Sequence, residues 1–338
     1  MYVYVCVCVC VCMCVCMYIC MLALESLVLC VHLSVHLSVC VCVCACVLAP
    51  DMHVILYACA EYLSLGGLKS FTSLSAQLVL GDEAGDSPAI SSGRVSSIQC
   101  LGGTGGLRLA VEFLKRVHPG ATMYLPASTW PTHLNIMRHA GVPFELYRYL
   151  APSGLELDFD GMLEDLRHCP VGSMVLLHMV AHNPSGFDPS PEQWQQILDV
   201  VKERHLFTLM DNAYQGFFRG LQEDAYAARL FANAGVEMLL ACSYSKNFGL
   251  YGERVGCLHV LSAESSAGPA ILSHLTALSR TLHSNCPSYG ARIVAIILGD
   301  KELKAEWVRE CDMMAGRLNS VRAQLHSLLV ELKTPGRV

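Results

Sequence analysis

The residues best suited to chemistry lie in Ser243-Tyr244-Ser245-Lys246-Asn247-Phe248-Gly249-Leu250-Tyr251-Gly252-Glu253-Arg254, where one lysine stands among small and aromatic neighbours and an arginine follows eight positions later. A lysine so placed can have a depressed pKa and attack an aldehyde through its amine, whereas a lysine in a solvated loop would do neither. A second candidate is Leu101-Gly102-Gly103-Thr104-Gly105-Gly106, directly ahead of a helical pattern. Small residues there let the backbone approach an anion, and the free amides of a helix start point toward it; a plain turn is the alternative. Asp211 closes an apolar run and, taken alone, reads as a helix N-cap. Trp130 alone reads as core.

These residues need elements that bring them together. From about residue 51 onward, strand-like apolar runs alternate with longer amphipathic stretches, the pattern of an α/β fold with a mostly parallel sheet. Helical spacing over residues 107–117 stops at His118-Pro119-Gly120, and short strands are predicted at 122–125, 173–180, 207–210, 237–242 and 255–261. Ser190, Pro191 and Gln193 predict a helix with a serine N-cap that runs to about residue 204. Helices are also predicted at 292–298 and over 301–332, the second long and amphipathic. Polar residues gather at the strand ends. In open α/β sheets ligands bind beyond the carboxyl ends of parallel strands, so Asn183, Asp211 and residues 243–246 are expected to converge there.

Composition narrows the classes. A chain of 338 residues with 53% hydrophobic content can bury a large core. Its formal charge of -6, with no dense Lys/Arg run, speaks against a nucleic-acid partner. Of 19 cysteines, twelve fall between Cys6 and Cys46 in near-strict alternation with valine, and the other seven are scattered without CxxC spacing. The scattered ones read as reduced thiols, with neither a disulfide framework nor a metal site expected. Residues 1–23 carry no charge and could span a bilayer on length alone. Their alternation is not what a membrane helix needs, and the charged start of a signal peptide is missing. Residues 1–50 therefore read as a low-complexity tract, disordered or a gene-model artefact of a translated GT repeat, with no membrane partner expected and the cytoplasm as the default location.

Four strings, HNPSGFDPSPEQW (182–194), DNAYQGFFRGLQEDA (211–225), SYSKNFGLYGERVG (243–256) and SNCPSYGARIVA (284–295), stand in the order and spacing they have in aspartate aminotransferases. The chain resembles that class I pyridoxal-phosphate-dependent aminotransferase family, close to its cytosolic type, over residues 61–336. The resemblance implies a fold-type I α/β transferase with a mostly parallel seven-stranded sheet, flanking helices and an incomplete small domain. It implies a cofactor-binding large domain over 51–300 and the start of a small domain over 301–338.

Position by position, the resemblance makes Lys246 the amine that forms the Schiff base with pyridoxal 5′-phosphate and then moves the substrate Cα proton. It pairs Asp211 with the pyridinium nitrogen, places Asn183 and Tyr214 on the phenolic oxygen, and stacks Trp130 on the ring. Gly103, Thr104, Ser243, Ser245 and Arg254 would hold the phosphate. Tyr62 would reach the phosphate of a neighbouring subunit and Arg280 the distal carboxylate of the substrate, which implies a homodimer with shared sites. The substrates implied are amino acids and 2-oxo acids, with aspartate and 2-oxoglutarate giving oxaloacetate and glutamate.

The sequence also departs from the family. Family members continue beyond the region matched here with a segment that carries the arginine for the substrate α-carboxylate, and the Val-Cys tract replaces their N-terminal segment. Gly252 stands for a usual asparagine, Cys286 for the first of two prolines, and Gly106 extends the glycine run. Two expectations follow: an active aspartate aminotransferase, or a diverged paralogue or fragment that binds cofactor or dimerises without efficient turnover.

Overall fold

A computed structural model describes residues 62–82 and 84–334, so the Val-Cys tract lies outside the described residues. The chain divides into two units between Tyr62 and Leu63, and every element below belongs to the second. Its strands are β1 (Val95–Leu101), β2 (Met123–Pro126), β3 (Phe144–Tyr147), β4 (Met174–His178), β5 (Phe207–Asn212), β6 (Met238–Ser243) and β7 (Val255–Leu261). They form one seven-stranded sheet in the order β1-β7-β6-β5-β4-β2-β3. Neighbours from β6 to β3 pair in parallel, while β7 runs antiparallel to both β1 and β6. The expected mostly parallel seven-stranded sheet is what forms. The reversed strand also has a use: the start of β7, just after Arg254, lies at the edge where the parallel strands end.

The helices are α1 (Lys69–Leu80), α2 (Pro88–Ser91), α3 (Gly102–Val117), α4 (Pro131–Ala140), α5 (Phe159–His168), α6 (Pro191–Glu203), α7 (Tyr226–Asn233), α8 (Gly268–Leu282), α9 (Tyr289–Gly299) and α10 (Lys301–Glu331). Strand residues alternate between two apolar layers. Met174 and Leu176 of β4 join Leu209, Leu109 and Leu114 in one layer, whereas Val175 and Leu177 join Met210, Ile197 and Phe231 in the other. Both faces are covered, which is why the strands read as unbroken apolar runs. Each such buried side chain contributes roughly 1.5–3 kcal/mol relative to exposure.

Local signals hold at α6. Ser190 Oγ accepts from the Gln193 amide at 3.3 Å, Gln193 Oε1 accepts from the Ser190 amide at 2.8 Å, and Pro191 fills the first helical position. Two helices depart from expectation. Helix α3 starts at Gly102 rather than at residue 107, because the glycines at its start let it lie close to neighbouring residues. A Cβ on Gly103 would come within 3.0 Å of Ser243 Cβ, and one on Gly106 within 3.4 Å of Ala241 Cβ. The intrinsic cost of glycine in a helix, about 1 kcal/mol each, is outweighed by that packing. Helix α10 buries Trp307, Cys311 and Ala315, but Leu318, Val321, Leu325 and Leu328 on its second half are exposed. No described helix is long and apolar enough to cross a membrane.

Candidate active site

The expected convergence takes place in one cavity of about 370 Å³, lined among others by Gly103, Thr104, Trp130, Asn183, Asp211 and Tyr214, and by Ser243, Ser245, Lys246 and Arg254. Each comes from the same sheet edge. Gly103 follows β1, Trp130 follows β2, Asn183 follows β4, Asp211 is the penultimate residue of β5, Ser243 ends β6, and Arg254 precedes β7.

Asp211 is buried, and a line of polar groups stands behind it. His133 Nε2 lies 3.0 Å from Asp211 Oδ2, Thr129 Oγ1 lies 2.8 Å from His133 Nδ1 and 2.9 Å from His178 Nε2, and the Asn183 amide approaches His178 Nδ1 at 3.4 Å. Only one assignment of hydrogens satisfies the chain with neutral rings. The Asn183 N–H donates to His178, His178 to Thr129, Thr129 to His133, and His133 Nε2–H to the carboxylate. Burial pushes the Asp211 carboxyl up, but the hydrogen bond from His133, with Lys246 nearby, outweighs it and holds the group below its ordinary value. Burial keeps His178 well below the ordinary imidazole range, so it stays neutral in this line.

Lys246 Nζ sits 4.4 Å from the centre of the Tyr214 ring and makes no hydrogen bond or ion pair within the described residues. Burial lowers its pKa, Asp211 pulls it back up and Arg254 lowers it further, for a net fall that favours the free amine. Asn183 Nδ2 donates to Tyr214 Oη at 3.4 Å. The phenol itself is pushed up, by burial first and by Asp211 second.

The lysine's position is fixed through the next residue. Trp307 Nε1 of α10 donates to the Asn247 carbonyl at 2.8 Å, the Trp307 ring stacks on Phe248 with centroids 4.4 Å apart, and Asn247 Nδ2 donates to the Gln215 carbonyl at 3.2 Å. Asp224 ties the loop beyond Tyr214 by accepting from the amides of Gly216, Phe218 and Arg219 at 2.8–3.1 Å.

Arg254 meets neutral acceptors only: its guanidinium donates to the Tyr251 carbonyl at 2.9 Å, the Leu101 carbonyl at 3.4 Å and Ser245 Oγ at 3.5 Å. It has no carboxylate partner among the described residues. Beside it, α3 begins without a side-chain cap, leaving its first amides free of one. A cation without a counter-ion next to an uncapped helix start is a seat for an anion. A cavity that combines this seat, a free amine and a buried carboxylate suits a phosphorylated aldehyde with a protonated ring nitrogen.

Two further expected site residues are exposed. Arg280 is exposed on α8 and does not line the cavity, and Tyr62, at the end of the other unit, is exposed. Conversely, Leu107, Ala213 and Tyr251 line the cavity and Thr129, His133 and His178 support it without having been singled out in the sequence. The Thr129–His133 spacing across a helix start is the one signal that could have found any of them.

Comparison with known proteins agrees with this geometry. The family described as aminotransferase class I and II matches residues 49–336. The mitochondrial aspartate aminotransferase P2 of Lupinus angustifolius is 46% identical over 82% of this chain and 61% of its own length. The cytoplasmic aspartate aminotransferase of Oryza sativa subsp. japonica is 45% identical over 82% of this chain and 67% of its own. The crystal structure of the aromatic-amino-acid aminotransferase from Burkholderia pseudomallei, covalently bound to pyridoxal phosphate, superposes with a TM-score of 0.81 at 36% identity, covering 85% of this chain and 71% of that one. This chain belongs to the class I and II aminotransferases, a pyridoxal-phosphate-dependent family. It spans about three fifths of the lupin relative's length.

Proposed function

We propose that this chain is the cofactor-binding part of an aspartate aminotransferase, which moves the amino group of aspartate to 2-oxoglutarate with pyridoxal 5′-phosphate. The observation that carries the reading is the Lys246 amine, with a lowered pKa and without a bonded partner among the described residues, in one cavity with buried Asp211 and with Arg254, which has no counter-ion among the described residues. Pyridoxal 5′-phosphate supplies an aldehyde that takes up amines and a ring that accepts the electron pair left when a substrate Cα–H bond breaks.

The chain's residues do the rest. Lys246 Nζ would hold the cofactor through its aldehyde and, as a free amine, would take the proton from the substrate Cα and return it. Asp211, held ionised by the His133 line, keeps a proton on the ring nitrogen. Asn183 and Tyr214 donate to the phenolic oxygen, and Trp130 covers the ring. Arg254, Gly103, Thr104, Ser243 and Ser245 hold the phosphate.

Exposure of Arg280 and Tyr62 supports a homodimer in which each completes the partner's site. The apolar side chains exposed on the second half of α10 support the reading of 301–338 as the start of a small domain. The rice relative's cytoplasmic name favours the cytoplasm, which fractionation of cells expressing the chain would check against the lupin relative's mitochondrial one.

The test is a half-reaction: the purified chain loaded with pyridoxal 5′-phosphate and mixed with aspartate or alanine. Oxaloacetate formed from aspartate in preference to pyruvate from alanine supports the reading. Loss of that preference in Arg280→Ala would support the role of Arg280, and an unchanged preference would remove it. Bound cofactor without any oxo-acid product favours the diverged, non-turning-over reading instead.

A further inference from the structure

We propose that Asp188 is a positioning residue for Asn183: by closing the turn 181–188 it sets where the Asn183 side chain meets Tyr214 and the phenolic oxygen of the cofactor, an inference that rests on the cofactor reading above. Asp188 does not line the cofactor cavity. It lines a second one, of about 150 Å³, with Trp194, Phe218, Arg219 and Asp224 among its walls. From there its carboxylate reaches the two residues just ahead of Asn183. Oδ2 accepts from the Ala181 amide at 2.6 Å, and Oδ1 accepts from the His182 amide at 2.8 Å.

Ala181 needs that hold, because its φ of 51° is a left-handed conformation that a side chain opposes. The rest of the turn leans on His182. Ser185 Oγ lies 2.8 Å from His182 Nδ1 and accepts from the Phe187 amide at 3.2 Å, while the His182 ring stacks on Tyr149 with centroids 3.8 Å apart. Asn183 leaves the turn in two directions: its amide starts the donor line that runs through His178 to Asp211, and its Nδ2 donates to Tyr214. The loop beyond Tyr214 is closed in the same way by Asp224, and it carries Arg219. Burial pushes the Asp188 carboxyl up, and the amides of His182 and Ala181 and the charge of Arg219 pull it part of the way back. One carboxylate thus closes each loop, and the two loops meet where Asn183 touches Tyr214.

The experiment compares the parent, Asp188→Asn, Asn183→Ala and the double variant, each loaded with pyridoxal 5′-phosphate, by the pH midpoint of the absorbance that disappears in Lys246→Ala. Donors on the phenolic oxygen favour its ionised form and lower that midpoint. Asparagine keeps the shape of Asp188 but offers one acceptor oxygen instead of two, so one of the two amides loses its partner. Asn183→Ala is expected to raise the midpoint by about one pH unit, the scale of one charge-assisted hydrogen bond, and Asp188→Asn by about half a unit or more. With Asn183 already gone, Asp188→Asn adds less than about 0.2 unit, because the group it positions is absent. In the ligand-free chain, hydrogen exchange at the amides of residues 181–183 is expected to quicken in Asp188→Asn. An unmoved midpoint, a full further shift on the Asn183→Ala background, or unchanged exchange would each overturn the inference; a residue that only stabilised the fold would leave the midpoint in place. If Asp188→Asn loses its cooperative unfolding transition, Ser185→Ala carries the same test, since that hydroxyl ties His182 and Phe187 within the same turn. A parent that shows no Lys246-dependent band overturns the cofactor reading and this inference with it. A parent whose midpoint rises in Asn183→Ala but not in Asp188→Asn overturns this inference alone.

Discussion

Asp211 carries a negative charge in a nearly closed place because a directed line of donors ends on it. Taken alone its position read as a helix N-cap, the resemblance gave it a chemical role, and what tunes it did not show in the sequence at all. Thr129 and His178 stand 49 residues apart, and His133 and Asp211 stand 78 apart. They meet only because β4 and β5 are in register, with His178 opposite Asp211. Lys246, Asn183 and Arg254 drew attention because each stands beside a strand end, whereas Tyr214 was named only through the resemblance. Replacing His133 by Asn removes the hydrogen bond that offsets burial, so the Asp211 pKa should rise. Cofactor affinity should then fall by about tenfold at neutral pH. It should also fail at a higher pH on acidification than in the parent, which dissociation constants measured across pH would reveal. The sign is set by the depressed carboxyl: its contribution is present above the ordinary carboxylate value and is lost as pH falls through the folded-state value.

At the scale of elements, β2, β4, β5, β6 and β7 appeared in the sequence to within a residue or two, because buried runs leave an apolar signal, whereas β1 and β3 went unread: Val95–Leu101 carries serines and a glutamine, and Phe144–Tyr147 is only four residues long and half exposed. The serine-capped start of α6 was equally plain. Helix α3 was not, since five of its positions hold glycine or threonine and its start is dictated by close packing with Ser243 and Ala241. Helix α10 was read as amphipathic throughout, yet its role for the site is concentrated at Trp307. That indole and Cys311 both donate to the Asn247 carbonyl, at 2.8 and 3.6 Å, and so brace the residue after Lys246. Trp307→Phe keeps the stack on Phe248 and removes the better donor. It should cost about 1–3 kcal/mol of unfolding free energy, as a buried carbonyl loses a partner. It should also shift the pH midpoint of the Lys246-dependent absorbance, a readout that destabilisation alone would leave in place.

For the whole molecule, several imidazoles are buried neutral. Burial pushes His182 down to about 4 and His259 to about 3, against an ordinary 6.5, and holds His178 low as well. His259 shows why. Tyr244 donates to Ser75 at 2.6 Å, Ser75 donates to His259 Nε2 at 2.8 Å, and His259 Nδ1–H donates to Ser97 at 2.8 Å, so a second ring proton would leave the Ser75 hydrogen without its acceptor. The unfolded chain takes up protons below pH 6.5 that the folded chain refuses, so stability falls as pH drops from there toward the folded-state values. Each such histidine steepens that fall by up to about 1.4 kcal/mol per pH unit. Urea unfolding between neutral pH and pH 4 should show the loss, and His259→Gln should flatten it; equal slopes in the two proteins would contradict the buried-neutral assignment. The central claim, that the molecule is built around a cofactor-binding amine at Lys246, is tested most directly by the absorption spectrum of the purified chain with pyridoxal 5′-phosphate, before and after aspartate, beside Lys246→Ala. The account predicts a visible band that requires Lys246 and changes when aspartate is added. A spectrum identical to free pyridoxal 5′-phosphate, or one unaffected by loss of the lysine, would contradict it.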